Sequence, residues 1–197
     1  MISEDLLLAS GATYKKVSAR ESIFQEGSDC HFYYQLISGS VRWVSITDDG
    51  KEFIQNLIEP GECFGELPLF DDGTYTASAY ANKDSVLIRL NKSTFHQLLK
   101  EDPDLHFKFS KMMAERMRYK FLLVKELACG DPEHKLSTLF KHFKISKKYV
   151  CPKCNRVQLT RQQIADMTGL RVETVIRAIK NLETKGTLTI DKGKVYC

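Results

Sequence analysis

The strongest constraint on the fold is a pair of short helices predicted near the end of the chain. Thr160-Arg161-Gln162-Gln163 begins with a hydroxyl residue and has a glutamine three positions later, which is the capping-box pattern of a helix start. This first helix is predicted to end near Met167. Gly169 then supplies a tight turn, because glycine adopts a positive φ without strain. A second helix is predicted from about Val172 to Thr184, and together the two form a helix-turn-helix.

The second helix presents chemistry suited to reading base pairs. Val172, Glu173, Ile176 and Arg177 are spaced so that they project from the same N-terminal side of the helix. Arg177 can donate two hydrogen bonds to guanine, and Glu173 can accept one from cytosine. Val172 and Ile176 can contact thymine methyl groups. The alternative interpretation of Glu173 and Arg177 is an ordinary surface ion pair four residues apart.

Two short strands follow this helix pair. Thr187–Ile190 and Lys194–Tyr196 flank the turn Asp191-Lys192-Gly193, which predicts a wing beside the helix-turn-helix. Lys192 and Lys194 would lie near phosphates, where they add affinity for double-stranded DNA but no sequence reading. The complete set of predicted DNA-binding residues is Thr160, Arg161, Gln162, Val172, Glu173, Thr174, Ile176, Arg177, Lys180, Lys192 and Lys194.

The charge of the chain is unevenly distributed. Residues 131–197 contain 14 Lys and Arg and 6 Asp and Glu, a net charge of +8, whereas residues 1–130 carry a net charge of −4. A basic C-terminal third fits a polyanionic partner such as DNA, although a solvated basic surface would have the same composition.

The N-terminal half shows the pattern of an all-β structure. Alternating or β-branched runs recur between Tyr14 and Leu90, and turn residues such as Ser38-Gly39 separate them. The regular spacing predicts an antiparallel β-barrel of the jelly-roll type. The predicted strands are Phe32–Ile37, Val41–Ile46, Phe53–Ile58 and Ser85–Leu90.

A long helix is predicted between Asp104 and Cys129. Gly130 and Asp131-Pro132 end it, and a separate helix from Glu133 to Lys144 opens the basic region. Its apolar stripe is of the kind that two copies bury against each other in a coiled coil, and the alternative is a helix packed only on its own domain. The stripe consists of Leu105, Phe109, Met113, Met117, Phe121, Val124 and Ala128.

The predicted fold class is therefore α+β, in three parts. Residues 1–103 are predicted to form a β-barrel, 104–130 a dimerisation helix, and 131–197 a winged helix-turn-helix. No apolar run approaches the roughly 20 residues that span a bilayer, and the start lacks the basic region of a signal peptide. We expect a soluble, cytoplasmic protein.

This order of parts resembles the Crp/Fnr family of bacterial transcription regulators. The firmest match is the run from Leu170 to Arg177, because the recognition helix of that family typically carries E-T-x-x-R, with the Glu and Arg reading bases. Glu173 and Arg177 match it directly. The resemblance implies a homodimer that recognises an inverted-repeat operator, with recognition helices roughly 34 Å apart, and it allows RNA polymerase as a further partner.

The sensor segment matches the family only in part. Phe64-Gly65-Glu66-Leu67-Pro68-Leu69-Phe70 resembles the segment from which cyclic-AMP-binding members take a glycine amide and a glutamate for the ribose, so Gly65 and Glu66 are candidate effector residues. Those members hold the cyclic phosphate with an Arg-Ser or Arg-Thr pair, where this chain has Thr76-Ala77. The charge-assisted bonds of the guanidinium are therefore missing.

The long helix also departs from the cyclic-AMP responders. The small hydroxyl residues that touch the purine in those members correspond here to Lys120 and Phe121. Lys120 could attract a different anionic ligand, and Phe121 would stack on that ligand or fill the pocket. We do not expect cyclic AMP to be the effector, and the sequence does not identify another small molecule in its place.

The six cysteines are scattered, which fits free thiols in a reducing compartment. Cys151-Pro152-Lys153-Cys154 has the spacing of half a zinc site. Cys129, His134 and His142 lie upstream, but no spacing brings them to this pair, so no firm metal site is predicted. The C-x2-C segment is either a hairpin turn or a metal-responsive or thiol-responsive sensor.

An enzyme is not predicted. A cupin-like enzyme would need close-set His and Glu ligands on the barrel strands, and the barrel offers only His31 and the peripheral His96. The sequence also lacks a Ser/His/Asp pattern or a phosphate-binding glycine loop at a defensible spacing.

Overall fold

The computed structural model describes residues 2–128 and 130–197. The chain divides into two compact units, Met1–Glu115 and Arg116–Cys197. The domain boundaries predicted at residues 103 and 130 stay predictions. The elements in chain order are α1 (Glu4–Ala9), β1 (Thr13–Val17), β2 (Ser22–Phe24), β3 (Phe32–Ile46), β4 (Glu52–Ile58), β5 (Cys63–Phe64), α2 (Pro68–Asp71), β6 (Ser78–Asn91), α3 (Lys92–Glu101), α4 (Pro103–Ala128), α5 (Pro132–Ser146), α6 (Arg161–Thr168), α7 (Val172–Thr184), β7 (Thr189–Asp191) and β8 (Lys194–Tyr196).

The first unit is built around one six-stranded antiparallel sheet. Its main path runs β1-β6-β3-β4, while β2 pairs with β6 and β5 pairs with β3. β3 and β6 are the central strands, since each pairs with three others. Burial of β-branched and aromatic side chains on the inner face supplies the main favourable term for folding. Fully buried large side chains of this core include Tyr33, Leu36, Ile58, Phe64, Leu87, Ile88, Leu90 and Phe95.

One predicted turn in this sheet is wrong. Ser38-Gly39 does not separate two strands, because β3 continues from Phe32 to Ile46 and pairs with β6 along most of its length. The register shifts around Ser38 and Ser40, so the segment is a bulge. Gly39 has a φ of +105°, and a Cβ there would lie 2.6 Å from the Cα of Ser85. The glycine marks a close approach of two strands and not a chain reversal.

The long helix α4 forms as predicted, but its apolar stripe divides between two surroundings. Leu105 and Phe109 are buried in the core of the first unit, where Phe109 meets the ring of Phe95 edge-on at 5.2 Å. Met117 and Phe121 are exposed. Of the two alternatives predicted for this stripe, packing on its own domain holds for Leu105 and Phe109. Cys129, the predicted last residue, lies outside the described residues.

The second unit is mainly helical. Asp131 caps α5 by accepting hydrogen bonds from the backbone N–H groups of Glu133 and His134, and Pro132 takes the first helical position, where no amide hydrogen is needed. Helix α5 packs against α7, and α6 packs against α7. The shared interior contains Leu136, Leu139, Phe140, Phe143, Ile164, Met167, Val175, Ile179 and Leu182.

In the described part of the chain, no helix has both the length and the apolar character needed to cross a bilayer.

Candidate nucleic-acid interface

Helix α6 begins with the predicted capping box. The Thr160 hydroxyl accepts the backbone N–H of Gln163 at 3.1 Å, and the Gln163 side-chain oxygen accepts the backbone N–H of Thr160 at 2.9 Å. At the other end Gly169 has a φ of +67°, the left-handed conformation expected of a helix C-cap glycine. These two features set the length of α6 and the direction in which α7 leaves it.

Helix α7 spans the predicted residues, from Val172 to Thr184. Val175, Ala178, Ile179 and Leu182 form its buried face. The opposite face is left to solvent and includes a shallow groove on the protein surface. That groove is lined by Glu173, Ile176, Arg177, Lys180 and Asn181.

The predicted reading residues are placed unequally on α7. Glu173, Arg177 and Lys180 are exposed, and Ile176 is 40% exposed. Val172 and Thr174 are half-buried. Among the residues that the structure describes, no ion pair joins Glu173 to Arg177. The charged groups of both side chains are therefore available to a ligand.

A polar clamp that holds α7 was missed by the sequence reasoning. The Glu133 carboxylate on α5 accepts hydrogen bonds from Asn181 Nδ2 at 2.7 Å and from Lys185 Nζ at 2.6 Å. The Lys185 ammonium and the Asn181 amide stabilise the charged form, so the pKa of Glu133 lies below its usual value. The sequence held one signal for this contact. Asn181 lies four positions after Arg177, so the two side chains share one face of α7.

The wing forms from β7 and β8, with Lys192 and Gly193 in the turn between them. The observed β7 starts two residues later than predicted, at Thr189. Lys192 and Lys194 are exposed, as phosphate contacts would require. Arg161 on α6 donates a hydrogen bond to the Gly193 carbonyl at 3.4 Å, and Gln162 donates one to Asp166 at 2.7 Å. Arg161 therefore links the first helix of the pair to the wing.

Comparison with known proteins decides the family. The cyclic nucleotide-binding domain model matches residues 14–102, and the Crp-like helix-turn-helix domain model matches residues 137–196. The cAMP-activated global transcriptional regulator CRP of Pasteurella multocida is 30% identical over 170 residues, which cover 85% of this chain and 81% of that protein. The chain belongs to the Crp/Fnr family of transcription regulators.

Other Crp/Fnr proteins match over similar lengths. The anaerobic regulatory protein of Bacillus subtilis is 29% identical over 204 residues, covering 99% of this chain and 84% of the relative. The structure of FixK2 from Bradyrhizobium japonicum superposes with a TM-score of 0.75 at 23% identity, covering 94% of this chain and 91% of that one. The Crp-like helix-turn-helix match and the curated relatives favour a DNA-binding regulator over the cupin-like enzyme.

The segment that the Crp/Fnr family suggests for an effector is largely buried in this chain. Glu66 is 1% exposed, and Gly65 has a φ of +67°. A Cβ on Gly65 would lie 2.5 Å from the Phe24 ring and 2.9 Å from the Tyr75 ring. Thr76 is exposed and Ala77 is buried. The structure therefore places the predicted pair Gly65 and Glu66 in the interior of the first unit.

An aromatic cluster beside Gly65 was also missed by the sequence reasoning. Phe24 and Tyr75 stack at 3.8 Å with an interplanar angle of 7°, and Phe24 also contacts Tyr34 and Phe64 at 5.9 and 5.8 Å. Burial raises the pKa of the Tyr75 phenol, and its hydrogen bond with Cys30 raises it further. The four aromatic residues come from separate segments of the sequence, so no local sequence pattern predicts that their rings are in contact.

The remaining candidate residues lie on α4 and at the hairpin before α6. Lys120 is half-buried, whereas Phe121 is 69% exposed. The C-x2-C segment lies in a hairpin turn, and a metal-responsive or thiol-responsive role for it stays a prediction. Within residues 2–128 and 130–197, no group of three or more His, Cys, Asp or Glu side chains is placed to hold a metal ion. Cys129, one of the upstream candidate ligands, lies outside those residues.

Proposed function

We propose that this regulator acts as a homodimer that reads an inverted-repeat operator with the exposed face of α7. The observation that carries the proposal is the combination, on one face, of two unpaired opposite charges and an exposed apolar side chain: Arg177, Glu173 and Ile176. A surface evolved only for solubility gains little from an isoleucine at 40% exposure. A major-groove reader uses all three.

Each side chain on this face has its own task. Arg177 donates two hydrogen bonds to a guanine, Glu173 accepts one from a cytosine, and Ile176 packs on a thymine methyl group. Val172 and Thr174, half-buried at the start of the helix, shape the edge of the contact, and Lys180 approaches the backbone. Thr160, Arg161 and Gln162 at the start of α6, together with Lys192 and Lys194 in the wing, bind phosphates and orient α7.

An exposed apolar seam along α4 supports the dimer. Phe107, Ala114, Met117, Phe121 and Val124 are all exposed and follow one another at spacings of seven, three, four and three. These are the a and d positions of a heptad repeat, which meet along one seam of a coiled coil. Phe107, Met117, Phe121 and Val124 are between 61% and 73% exposed in the single chain. Pairing two copies of α4 would remove this apolar surface from water.

We propose that the effector is not cyclic AMP, although several relatives are named as cAMP-activated regulators. Thr76 and Ala77 offer no positive charge to a cyclic phosphate. The interior next to Gly65 and Glu66 already holds the stacked rings of Phe24 and Tyr75. A small effector of another kind, with Lys120 and Phe121 as candidate contacts on α4, would act on the pairing of the two copies. The protein would work in the cytoplasm with the chromosome, where RNA polymerase is a further candidate partner.

Capture of genomic fragments with sequencing tests the DNA proposal. The purified protein should enrich fragments that share an inverted repeat whose half-sites are about one helical turn apart. Enrichment of fragments without a common sequence would contradict a specific regulator. Titration calorimetry with cyclic AMP and cyclic GMP tests the effector proposal, and micromolar binding of either nucleotide would overturn it.

The dimer proposal has its own matched pair of variants. Phe121→Asp places a charge in the seam, so the protein should sediment as a monomer and lose most of its affinity for the inverted repeat. Glu115→Lys changes an exposed charge one position away from the seam residue Ala114, and it should leave the mass and affinity unchanged. A dimeric Phe121→Asp protein in analytical ultracentrifugation would place the interface elsewhere.

A further inference from the structure

The hairpin between α5 and α6 brings two thiols together at the protein surface. An isolated bridge between Val150 and Val157 closes the hairpin. Inside it the Cys151 N–H donates to the Arg156 carbonyl at 2.9 Å, and the Asn155 N–H donates to the Cys151 carbonyl at 2.9 Å. Asn155 takes the left-handed conformation, with a φ of +56°. The chain thereby reverses over four residues and returns the side chain of Cys154 to that of Cys151.

The surroundings of Cys151 favour its thiolate. The backbone N–H groups of Lys153 and Cys154 point at its sulfur, the Cys154 thiol donates a hydrogen bond to it, and Arg156 adds a positive charge. Each of these interactions lowers the pKa of the Cys151 thiol, since each stabilises the negative form. Cys151 is half-exposed and Cys154 is exposed, so both are open to small solutes.

The other described cysteines are in different surroundings. Cys30 and Cys63 are buried in the first unit, where Cys63 contacts the Met112 sulfur at 3.4 Å. Cys197 is half-buried, and burial raises the pKa of its thiol. Among the cysteines that the structure describes, the pair in the hairpin is therefore the one suited to oxidation.

We propose that Cys151 and Cys154 are an oxidation site that closes to a disulfide on reaction with a peroxide. The Cys151 thiolate attacks one peroxide oxygen, the O–O bond breaks, and hydroxide leaves while the sulfur becomes a sulfenic acid. Cys154 gives up its proton and attacks that sulfur, the S–O bond breaks, and the second hydroxide leaves. The hydroxides and the two thiol protons form two waters, and two electrons pass from the sulfurs to the peroxide.

The hairpin is hydrogen-bonded to the wing, which gives the oxidation a route to DNA binding. The Val157 N–H donates to the Val195 carbonyl at 2.8 Å, and the Cys197 N–H donates to the Asn155 carbonyl at 3.2 Å. A bridge also joins Arg156 to Tyr196. The hairpin thus borders β8, the strand that carries Lys194, and only two residues separate Val157 from the α6 cap Thr160. Formation of the Cys151–Cys154 disulfide should shift the hairpin and the β8 strand bonded to it, and thereby weaken the phosphate contact of Lys194. This consequence rests on the proposed DNA-binding function.

Peptide mapping tests the oxidation site without reference to DNA. Trypsin cleaves after Lys148, Lys153 and Arg156, so a Cys151–Cys154 disulfide would hold peptides 149–153 and 154–156 together. After treatment with hydrogen peroxide and alkylation, this linked pair should be the major oxidised product, and dithiothreitol should separate it. Cys154→Ser should abolish the linked pair, and Cys30→Ser should leave it intact. Free, alkylatable Cys151 and Cys154 after peroxide would overturn the proposal, as would one tightly held zinc ion per purified chain.

Fluorescence anisotropy with an operator isolated by genomic capture tests the consequence. Oxidation should weaken binding by about 10-fold, the scale of losing a few phosphate contacts, and reduction should restore it. The Cys151→Ser protein should bind equally before and after peroxide. Equal loss in Cys151→Ser would overturn the role of this pair. If the reduced protein binds no DNA while the linked peptides still form, the DNA-binding proposal fails and the oxidation site stands.

Discussion

The two units of the chain hold their family-matching segments in opposite surroundings. In the first unit, Gly65 and Glu66 are retained in sequence but lie buried beside a stack of aromatic rings, and Thr76 stands where responders carry a positive charge. In the second unit, Glu173 and Arg177 are retained and exposed. A motif therefore has functional meaning only together with its exposure and its neighbours. The contrast is one of exposure: Glu173 and Arg177 face solvent, whereas Gly65 and Glu66 do not.

The largest expected effect tests how tightly the aromatic cluster is packed. Gly65→Ala should destabilise the N-terminal unit by about 2–4 kcal/mol, because the added methyl group meets the Phe24–Tyr75 stack and the backbone has a positive φ. Gly27→Ala is the control, since Gly27 also has a positive φ of +80° but open space around its Cβ position. It should cost only about 1–2 kcal/mol. If urea denaturation gives equal losses of unfolding free energy for the two variants, the aromatic rings can move aside at little cost, as the wall of a ligand pocket would.

The next effect concerns the reading face of α7. Arg177→Ala should cost about 1–3 kcal/mol of DNA affinity and relax the preference for one G·C pair in each half-site. Lys192→Ala, in the wing, should weaken binding by the same factor for every DNA sequence. Competition binding with operators mutated at single positions separates the two outcomes. An equal loss on all sequences for Arg177→Ala would make it a phosphate contact.

A smaller effect is expected at the start of the helix pair. Thr160→Ala removes the hydroxyl that accepts the Gln163 N–H, so the second unit should lose about 1 kcal/mol of stability. Thr184→Ala, at the exposed end of α7, removes only a hydrogen bond to a backbone carbonyl within the same helix and should change stability by less than about 0.5 kcal/mol. Thermal denaturation of both variants measures the difference. Equal shifts in the melting temperatures of the two variants would show that the capping box does not stabilise α6.

The smallest effect is a pH dependence at the clamp behind α7. The pKa of Glu133 is lower in the folded chain than in the unfolded chain, because Lys185 and Asn181 stabilise its carboxylate. This stabilisation is present above the unfolded pKa of about 4.5 and is lost as the pH falls through the lower folded value. Glu133→Gln should therefore lower the melting temperature slightly at pH 7, and the difference should shrink as the pH falls below the unfolded pKa. A difference that stays constant as the pH falls would point to lost packing instead of lost charge.

The sequence predicted the second unit better than the first, for a physical reason. Helix caps, turn glycines and helical faces depend on residues a few positions apart, so Thr160, Gly169 and the bounds of α7 could be predicted locally. The Gly39 bulge depends on how closely Ser85 approaches, and that strand lies 46 positions away. The clamp of Glu133 on Asn181 and the Phe24–Tyr75 stack are likewise made between distant segments. Spacing alone could not reveal them.

The exposure of the α4 stripe was predictable only in part. Periodicity identified an apolar face, but it could not say that Leu105 and Phe109 would be used by the sheet while Met117 and Phe121 would be left outside. That division depends on where the core of the first unit ends. The exposed heptad begins at Phe107 and shares Met117, Phe121 and Val124 with the predicted stripe.

The position of β6 in the sheet has a consequence for the order in which the chain folds. β1 and β2 both pair with β6, so the first two strands have no partner in the sheet until residues 78–91 have left the ribosome. The second unit, by contrast, is mainly helical, and its strands β7 and β8 are joined by a short turn. Domains dominated by distant strand pairings fold more slowly than helical ones. On refolding from denaturant, we expect the C-terminal helices to form their native contacts first and the sheet to set the overall rate.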